Sequence, residues 1–271
     1  MKRCAGCIMA CCLAPAAFGQ VAVKDDTDRV VALPQPARRI VTLSPHATEL
    51  VFAAAAGDRL VAVAAYSDWP PAARQLPRIG GSGGIDRERL LRLQPDLVVA
   101  WASGSRPGDL AWLERLGIAV YRSEPRRLSD IADNLRALGR LAGTAAAADR
   151  MAASFEQALA DACPERTSET NVLYRLWEQP LLTYGGRHWS NDALRRLGLH
   201  NMFAAVARAV FTPDREAVLA AQPTYVLGQS ATTDPLLTAR FLLTPATFDR
   251  PTPRIVEALR SLCASLPAPR D

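Results

Sequence analysis

A fifteen-residue unit of this chain recurs with seven positions unchanged. Asp86-Arg-Glu-Arg-Leu-Leu-Arg-Leu-Gln-Pro-Asp-Leu-Val-Val-Ala100 returns as Asp214-Arg-Glu-Ala-Val-Leu-Ala-Ala-Gln-Pro-Thr-Tyr-Val-Leu-Gly228, about half the chain further on. Each copy reads as an aspartate N-cap, a short helix, a proline stop and a strand. The spacing is far longer than the ~20–50 residues of a solenoid unit, so the repeat predicts two similar lobes. Around the copies, short apolar runs alternate with amphipathic segments, the pattern of an α/β fold. The expected strands are Ile40–Leu43, Leu60–Val63, Leu97–Ala100 and Ile118–Tyr121 in one half, then Val172–Leu176, Tyr225–Leu227 and Phe241–Leu243 in the other. Ser44-Pro45 is an N-cap followed by a first-turn proline, opening a helix that runs to about Ala56 and stops at Gly57.

The stretch between the copies predicts the connection. Leu128–Leu141 is one helical segment, Gly143 breaks it, and Thr144 caps a second that runs to about Cys163. Met151, Phe155, Leu159 and Ala162 fall on one stripe of that second helix. At 1.5 Å per residue it measures roughly 30 Å, a stiff spine between lobes. The expected layout is therefore residues 20–143 as an amino-terminal α/β lobe, 144–165 as the interlobe helix and 166–271 as a carboxyl-terminal α/β lobe.

Residues 1–19 are set apart. Lys2 and Arg3 precede an uncharged stretch from Cys4 to Gly19 that ends in small residues, the layout of a secretory signal peptide with cleavage near Gly19–Gln20. Ile8-Met9-Ala10-Cys11 loosely resembles a lipobox, which leaves lipid anchoring open. Export removes Cys4, Cys7, Cys11 and Cys12, so Cys4-x-x-Cys7 is not a redox or zinc motif. Cys163 and Cys263 remain, as one disulfide or as two buried thiols. No other apolar run is long enough for a polytopic membrane protein. Of 32 positive charges all but Lys2 and Lys24 are arginines, scattered among acids in runs no longer than a pair, so nucleic acid is not indicated as a partner.

No catalytic set emerges. His46, His188 and His200 lack metal-ligand spacing, and no G-x-S-x-G elbow is present. An exported hydrolase using His46 or His188 therefore lacks its nucleophile and its metal. Gly80-Gly81-Ser82-Gly83-Gly84 lacks the Lys-Ser/Thr of a phosphate loop and reads as a loop rimming a cleft. Three aromatics are placed more suggestively. Tyr66 and Trp101 follow strands, and Trp189 lies in the loop Gly185–Trp189 beyond the strand from Val172. Ligands of open α/β sheets collect beyond the carboxyl ends of strands, so these rings predict a flat-walled apolar cleft between the lobes.

The stretches Arg39-Ile-Val-Thr-Leu-Ser-Pro-His-Ala-Thr-Glu-Leu50, Ala65-Tyr-Ser-Asp-Trp-Pro-Pro71 and Leu93-Gln-Pro-Asp-Leu-Val-Val-Ala-Trp101 closely resemble the periplasmic cobalamin-binding proteins of bacterial ABC importers. Gly185-Gly-Arg-His-Trp189, Asn201-Met-Phe203 and Arg250-Pro-Thr-Pro-Arg-Ile255 extend the resemblance over nearly all of the chain beyond the signal. It implies a helical-backbone periplasmic binding protein, two α/β lobes joined by a single long helix, that acts as a monomer and is not an enzyme. It implies a cobalamin or related corrinoid as ligand, no other cofactor, no resident metal, and an ABC permease with its ATPase as partner and sole membrane contact. Tyr66 matches an aromatic that stacks on the corrin, Trp101 a second cleft aromatic, and the segment Ala246, Thr247, Phe248, Asp249, Arg250 a ligand-contacting loop. Glu88 and Glu216 match the two glutamates that dock on permease arginines. Haem or a ferric siderophore, with His46 and Tyr66 as axial ligands, is the alternative within the same wider family.

The chain departs from the resemblance at four places. Ser82 stands where a cleft tryptophan is usual, and Leu197 where a cysteine would pair with Cys263. The segment Gln229–Arg240 is short, and Ala246 replaces a common ligand-contacting acid.

Overall fold

The computed structural model describes residues 19–81, 83–164, 166, 170–230 and 239–267. Residues 1–18, with the signal reading and four of the cysteines, and Ser82 lie outside them. An antiparallel hairpin of β1 (Val21–Lys24) and β2 (Val30–Leu33) leads into the amino-terminal lobe. There β3 (Ile40–Thr42), β4 (Leu60–Ala62), the two-residue pair β5 (Gly80–Gly81) and β6 (Gly84–Ile85), β7 (Leu97–Trp101) and β8 (Ala119–Ser123) alternate with α1 (Pro45–Ala53), α2 (Arg87–Leu93) and α3 (Pro107–Arg115). The carboxyl-terminal lobe follows α4 (Leu128–Ala142) and α5 (Ala145–Ala160). It holds β9 (Thr170–Tyr174), β10 (Thr183–Tyr184), α6 (Ser190–Arg196), β11 (Leu199–Asn201), β12 (Val210–Phe211), α7 (Arg215–Ala221), β13 (Tyr225–Gly228), β14 (Arg240–Leu243) and α8 (Ile255–Ser265).

Both lobes are built on a parallel four-stranded sheet, ordered β4-β3-β7-β8 in one and β11-β9-β13-β14 in the other. Superposing the sequence repeat maps α2–β7 onto α7–β13, and the two strand orders then coincide. The local reasons repeat as well. Asp86 caps α2 by accepting from the Arg89 N–H, and Asp214 caps α7 by accepting from that of Glu216. Gln94 and Gln222 both end their helices in the left-handed region, at φ 43° and 41°, ahead of a proline that cannot continue the helix. All seven expected strands are present within two residues of their bounds.

The lobes are linked by the two long helices expected on either side of Gly143, a helical backbone. Gly143, at φ 68°, turns the chain at the end of α4, and α5 packs back along it. Gly139 makes the close approach possible, since a Cβ there would stand 2.2 Å from that of Ala148. Three details differ from expectation. Helix α5 ends at Ala160 rather than Cys163, which at 1.5 Å per residue makes it roughly 24 Å long. Thr144 makes no side-chain cap; its hydroxyl donates instead to the Ala54 carbonyl at 2.6 Å. The buried stripe of α5 is Ala148, Ala152, Phe155 and Leu159, with Ala162 buried just beyond it, while Met151 is 39% exposed. Helix α1 also stops early, at Ala53, where Ala55 turns to φ 57°.

One continuous apolar cluster runs from β2 through α1, α4 and α5 to β9 and α8, so the lobes share a core. Cys163 and Cys263 are joined in a disulfide, Cα–Cα 5.8 Å, which fastens the end of α5 to α8. This settles the alternative left open by their sequence, and Leu197 is simply a buried core residue.

Candidate functional site

In the amino-terminal lobe the carboxyl edge of the sheet is made of aromatics. Tyr66, beyond β4, is 84% exposed and holds φ 63°, a backbone region that bulky residues seldom adopt. The conformation is imposed by its neighbour. Ser67 is buried, its hydroxyl hydrogen-bonds that of Thr48 at 2.9 Å, and its carbonyl accepts from Arg78 Nη1 at 2.8 Å. Trp101 ends β7 and Trp69 sits three residues past Tyr66; both present part of their rings to solvent. Beneath Trp101 lies His46, edge-on at 5.8 Å between centroids. It is buried, its Nδ1 stands 3.2 Å from Ser44 Oγ, and its Nε2 is buried without a hydrogen-bond partner. Burial, with the Arg250 charge second, lowers its pKa to about 4, so the ring is neutral at ordinary pH.

The carboxyl-terminal wall follows β14. Ala246–Asp249 form a single 3-10 turn in which Ala246 is exposed and Phe248 fully buried. Asp249 accepts from the hydroxyls of Tyr174 at 2.5 Å and Tyr184 at 3.1 Å, and from the Gln229 amide. Burial first, and the Asp249 charge second, holds both phenols well above their usual pKa, so they serve as donors. Trp189 is only 4% exposed and packs 6.0 Å from Phe248. Its ring therefore supports the turn from behind, a correction to its expected place on the cleft wall. Behind it, His188 stacks on Tyr184 at 3.7 Å, and burial lowers its pKa to about 3.

The two edges face one another, because side chains join them. Arg250 Nη1 reaches Glu49 Oε1 of α1 at 2.8 Å and Asp68 Oδ1 at 2.6 Å. Thr252 donates to Glu49 at 3.0 Å, and the Arg254 guanidinium lies 4.3 Å over the Trp69 ring. The structure thus brings Tyr66, Trp101 and the Ala246–Arg250 turn to the same interlobe edge. Glu88 and Glu216 lie elsewhere, exposed near the starts of α2 and α7, with Glu88 paired to Arg92. Sequence reasoning passed over Trp69, Glu49 and Arg254. The Asp68-Trp69 pair within the aromatic motif was the available signal; Glu49, inside a helix, offered none. It also passed over Trp177, 62% exposed beyond β9.

Two α/β lobes on a helical link, joined by side chains at the carboxyl ends of their sheets, have the architecture of a two-lobed binding protein. Comparison with known proteins agrees. A family model described as periplasmic binding protein matches residues 40–246. The vitamin B12-binding protein of Vibrio cholerae serotype O1 is 34% identical over 259 residues, covering 89% of this chain and 93% of the relative. The crystal structure of the periplasmic vitamin B12 binding protein of Vibrio cholerae superposes with a TM-score of 0.76 over 84% of this chain and 96% of that one, at 34% identity. A periplasmic haem-binding protein from Pseudomonas aeruginosa shares the fold, with a TM-score of 0.71 at 23% identity over 84% of this chain and 92% of that one. The chain belongs to the periplasmic binding protein family and, within it, groups with the vitamin B12-binding members. It is a periplasmic binding protein of the kind associated with ABC importers, and not an enzyme. Among the described residues no helix is long and apolar enough to cross a membrane.

Proposed function

We propose that the interlobe edge captures cobalamin or a related corrinoid and that the protein delivers it to an ABC permease. The observation that carries this reading is the exposure of Tyr66, Trp69 and Trp101 at and beyond the carboxyl ends of β4 and β7, with the Asp68–Trp69 loop tied to Arg250 and Arg254 of the opposite lobe. A corrin is a broad, mostly apolar disc. Flat rings match its faces, and burying those faces and the ring edges supplies most of the affinity. The similarity to vitamin B12-binding proteins over nearly the whole chain supports the same ligand. Arg250 and Asp249 are already engaged by protein partners, so in this reading they shape the turn and the contacts fall to Tyr66, Trp101, Ala246 and Thr247.

The experiment is a calorimetric titration of the protein lacking residues 1–19 with cyanocobalamin. Saturable heat is expected, and Tyr66→Ala should weaken binding about 10- to 100-fold, as for an aromatic anchor. Absence of both heat and spectral change at high micromolar ligand rejects the reading. A parallel hemin titration tests the alternative: His46 Nε2 is buried rather than offered to a metal, so a saturable Soret shift would have to come through the exposed Tyr66, and one abolished by Tyr66→Ala would favour haem over the corrinoid.

A further inference from the structure

Glu49 belongs to α1, yet the partners of its carboxylate come from the opposite lobe. Its side chain is 3% exposed, and it receives Arg250 Nη1 at 2.8 Å, Thr252 Oγ1 at 3.0 Å and Arg254 Nη1 at 3.6 Å. A carboxylate so buried is tolerable only when paired, so separating it from these groups is strongly opposed. The same two arginines extend past Glu49 to the loop that presents the cleft aromatics. Arg250 holds Asp68, and Arg254 covers the face of Trp69. Two anions and two cations balance, and they interleave: one anion is anchored in a helix, the other sits in the loop.

The loop has reason to need an anchor. Tyr66 holds a backbone angle that persists only where the surroundings over-determine it. On the inner side Thr48 and Arg78 fix Ser67. On the outer side the described contacts of Asp68 and Trp69 with the other lobe run through Arg250 and Arg254.

We propose that Glu49 is a positioning residue for ligand binding: through Arg250 and Arg254 it fixes the Tyr66–Trp69 loop against the opposite lobe. Ligand residence is then governed by a carboxylate that does not itself line the cleft. The proposal rests on the corrinoid reading for its kinetic consequence but not for its structural one. Glu49→Gln keeps the volume and removes the charge that gathers the two arginines. A ligand still meets the same open rim, so association changes little, while the loosened loop lets it go sooner.

Two measurements test this on wild type, Glu49→Gln and the milder Thr252→Val. In stopped-flow tryptophan fluorescence with cyanocobalamin, dissociation should speed up about tenfold in Glu49→Gln and about two- to threefold in Thr252→Val, with association within about twofold of wild type. In ligand-free hydrogen exchange, the amides of residues 65–69 should exchange faster in both variants while those of β3 and β7 stay as in wild type. Unchanged exchange at 65–69 overturns the proposal, and so does faster exchange with an unchanged dissociation rate. If wild type binds no cyanocobalamin, the corrinoid reading fails, and the exchange result alone decides the positioning role. If Glu49→Gln does not fold, Thr252→Val, which loses a single hydroxyl bond, gives the decision.

Discussion

The two lobes share a related fifteen-residue unit and the same strand order, yet among the described residues their sheets are covered unequally. On the outer face of the amino-terminal sheet, Val41, Ala62, Val98 and Val120 pack under Leu90 of α2 and Leu110 and Leu113 of α3, all buried. On the corresponding face of the other sheet the buried residues among those described are Leu173, Val218 and Val226, with Leu181, Met202, Phe203, Ala239 and Phe241 partly buried. No helix stands between β13 and β14 among the described residues, where α3 stands between β7 and β8; residues 231–238 of that connection lie outside them. The carboxyl-terminal lobe is held instead from its inner side, by the Tyr174–Phe248–Trp189 stack and by the Cys163–Cys263 bond to α5. A repeat therefore fixes a scaffold without fixing how that scaffold is stabilised.

The largest effect expected from this contrast is loss of the crosslink. A bond closing a loop of 100 residues stabilises by about 4–5 kcal/mol in the chain-entropy account. Cys163→Ser with Cys263→Ser should lower urea-unfolding stability by that order, and exchange should rise first in α8 and β14. A loss below about 1 kcal/mol would mean that packing alone secures α8. Next come the outer faces. Leu113→Ala removes a fully buried side chain from a covered face and should cost about 3 kcal/mol, whereas Val218→Ala, on the thin face, should cost about half as much. Equal costs in parallel denaturant titrations would erase the distinction between the lobes.

Each lobe also holds one histidine that desolvation keeps neutral, His46 buried and His188 half-buried, which gives a pH test. With His46 at about 4 and His188 at about 3, the folded state refuses protons that the unfolded chain accepts below about pH 6.5. Their contribution is complete above that pH and drains away as pH falls toward 4 and 3. Asp26, raised to about 6 by burial, acts oppositely: it takes up its proton in the folded state first and adds stability between about pH 6 and 4. The net loss by pH 5 should be on the order of 2–3 kcal/mol. His46→Gln and His188→Gln should each remove about half of the histidine slope; a slope unchanged in both would place the acid lability elsewhere.

The smallest expected effect on folding lies at the matched surface acids. Glu88 has Arg92 one turn on, while the equivalent of Arg92 beside Glu216 is Ala220. Both are exposed, so the double alanine variant should change stability by no more than ~1 kcal/mol and leave ligand affinity intact. In the docking role that the family resemblance implies for them, the same variant should associate poorly with the permease in a salt-dependent assay. Normal permease association, or lost ligand binding, would remove that role.

Much of this fold was legible in the chain because its determinants are local. Asp86 and Asp214 cap helices by bonding N–H groups two or three residues away, and Gln94-Pro95 and Gln222-Pro223 stop them within the next turn. Gly143 turns the link by its own φ. The strands follow from short apolar runs, and their order in the second lobe follows from the repeat. The site was legible in part. Tyr66 and Trp101 stand where strand ends predicted, but Trp189 and Phe248, alike in type, are buried.

What only the tertiary structure decided is which side chains face each other across long stretches of chain. It paired Cys163 with Cys263, set Glu49 among Arg250, Thr252 and Arg254, and turned the buried stripe of α5 away from Met151. The sequence alone determined two capped, repeated α/β units and a helical link between them. A cap or a turn depends on groups within about four residues, so its energy is written in adjacent letters. Burial and charge pairing depend on how two surfaces are brought together, and that is set by the packing of α4 on α5 and of one lobe on the other.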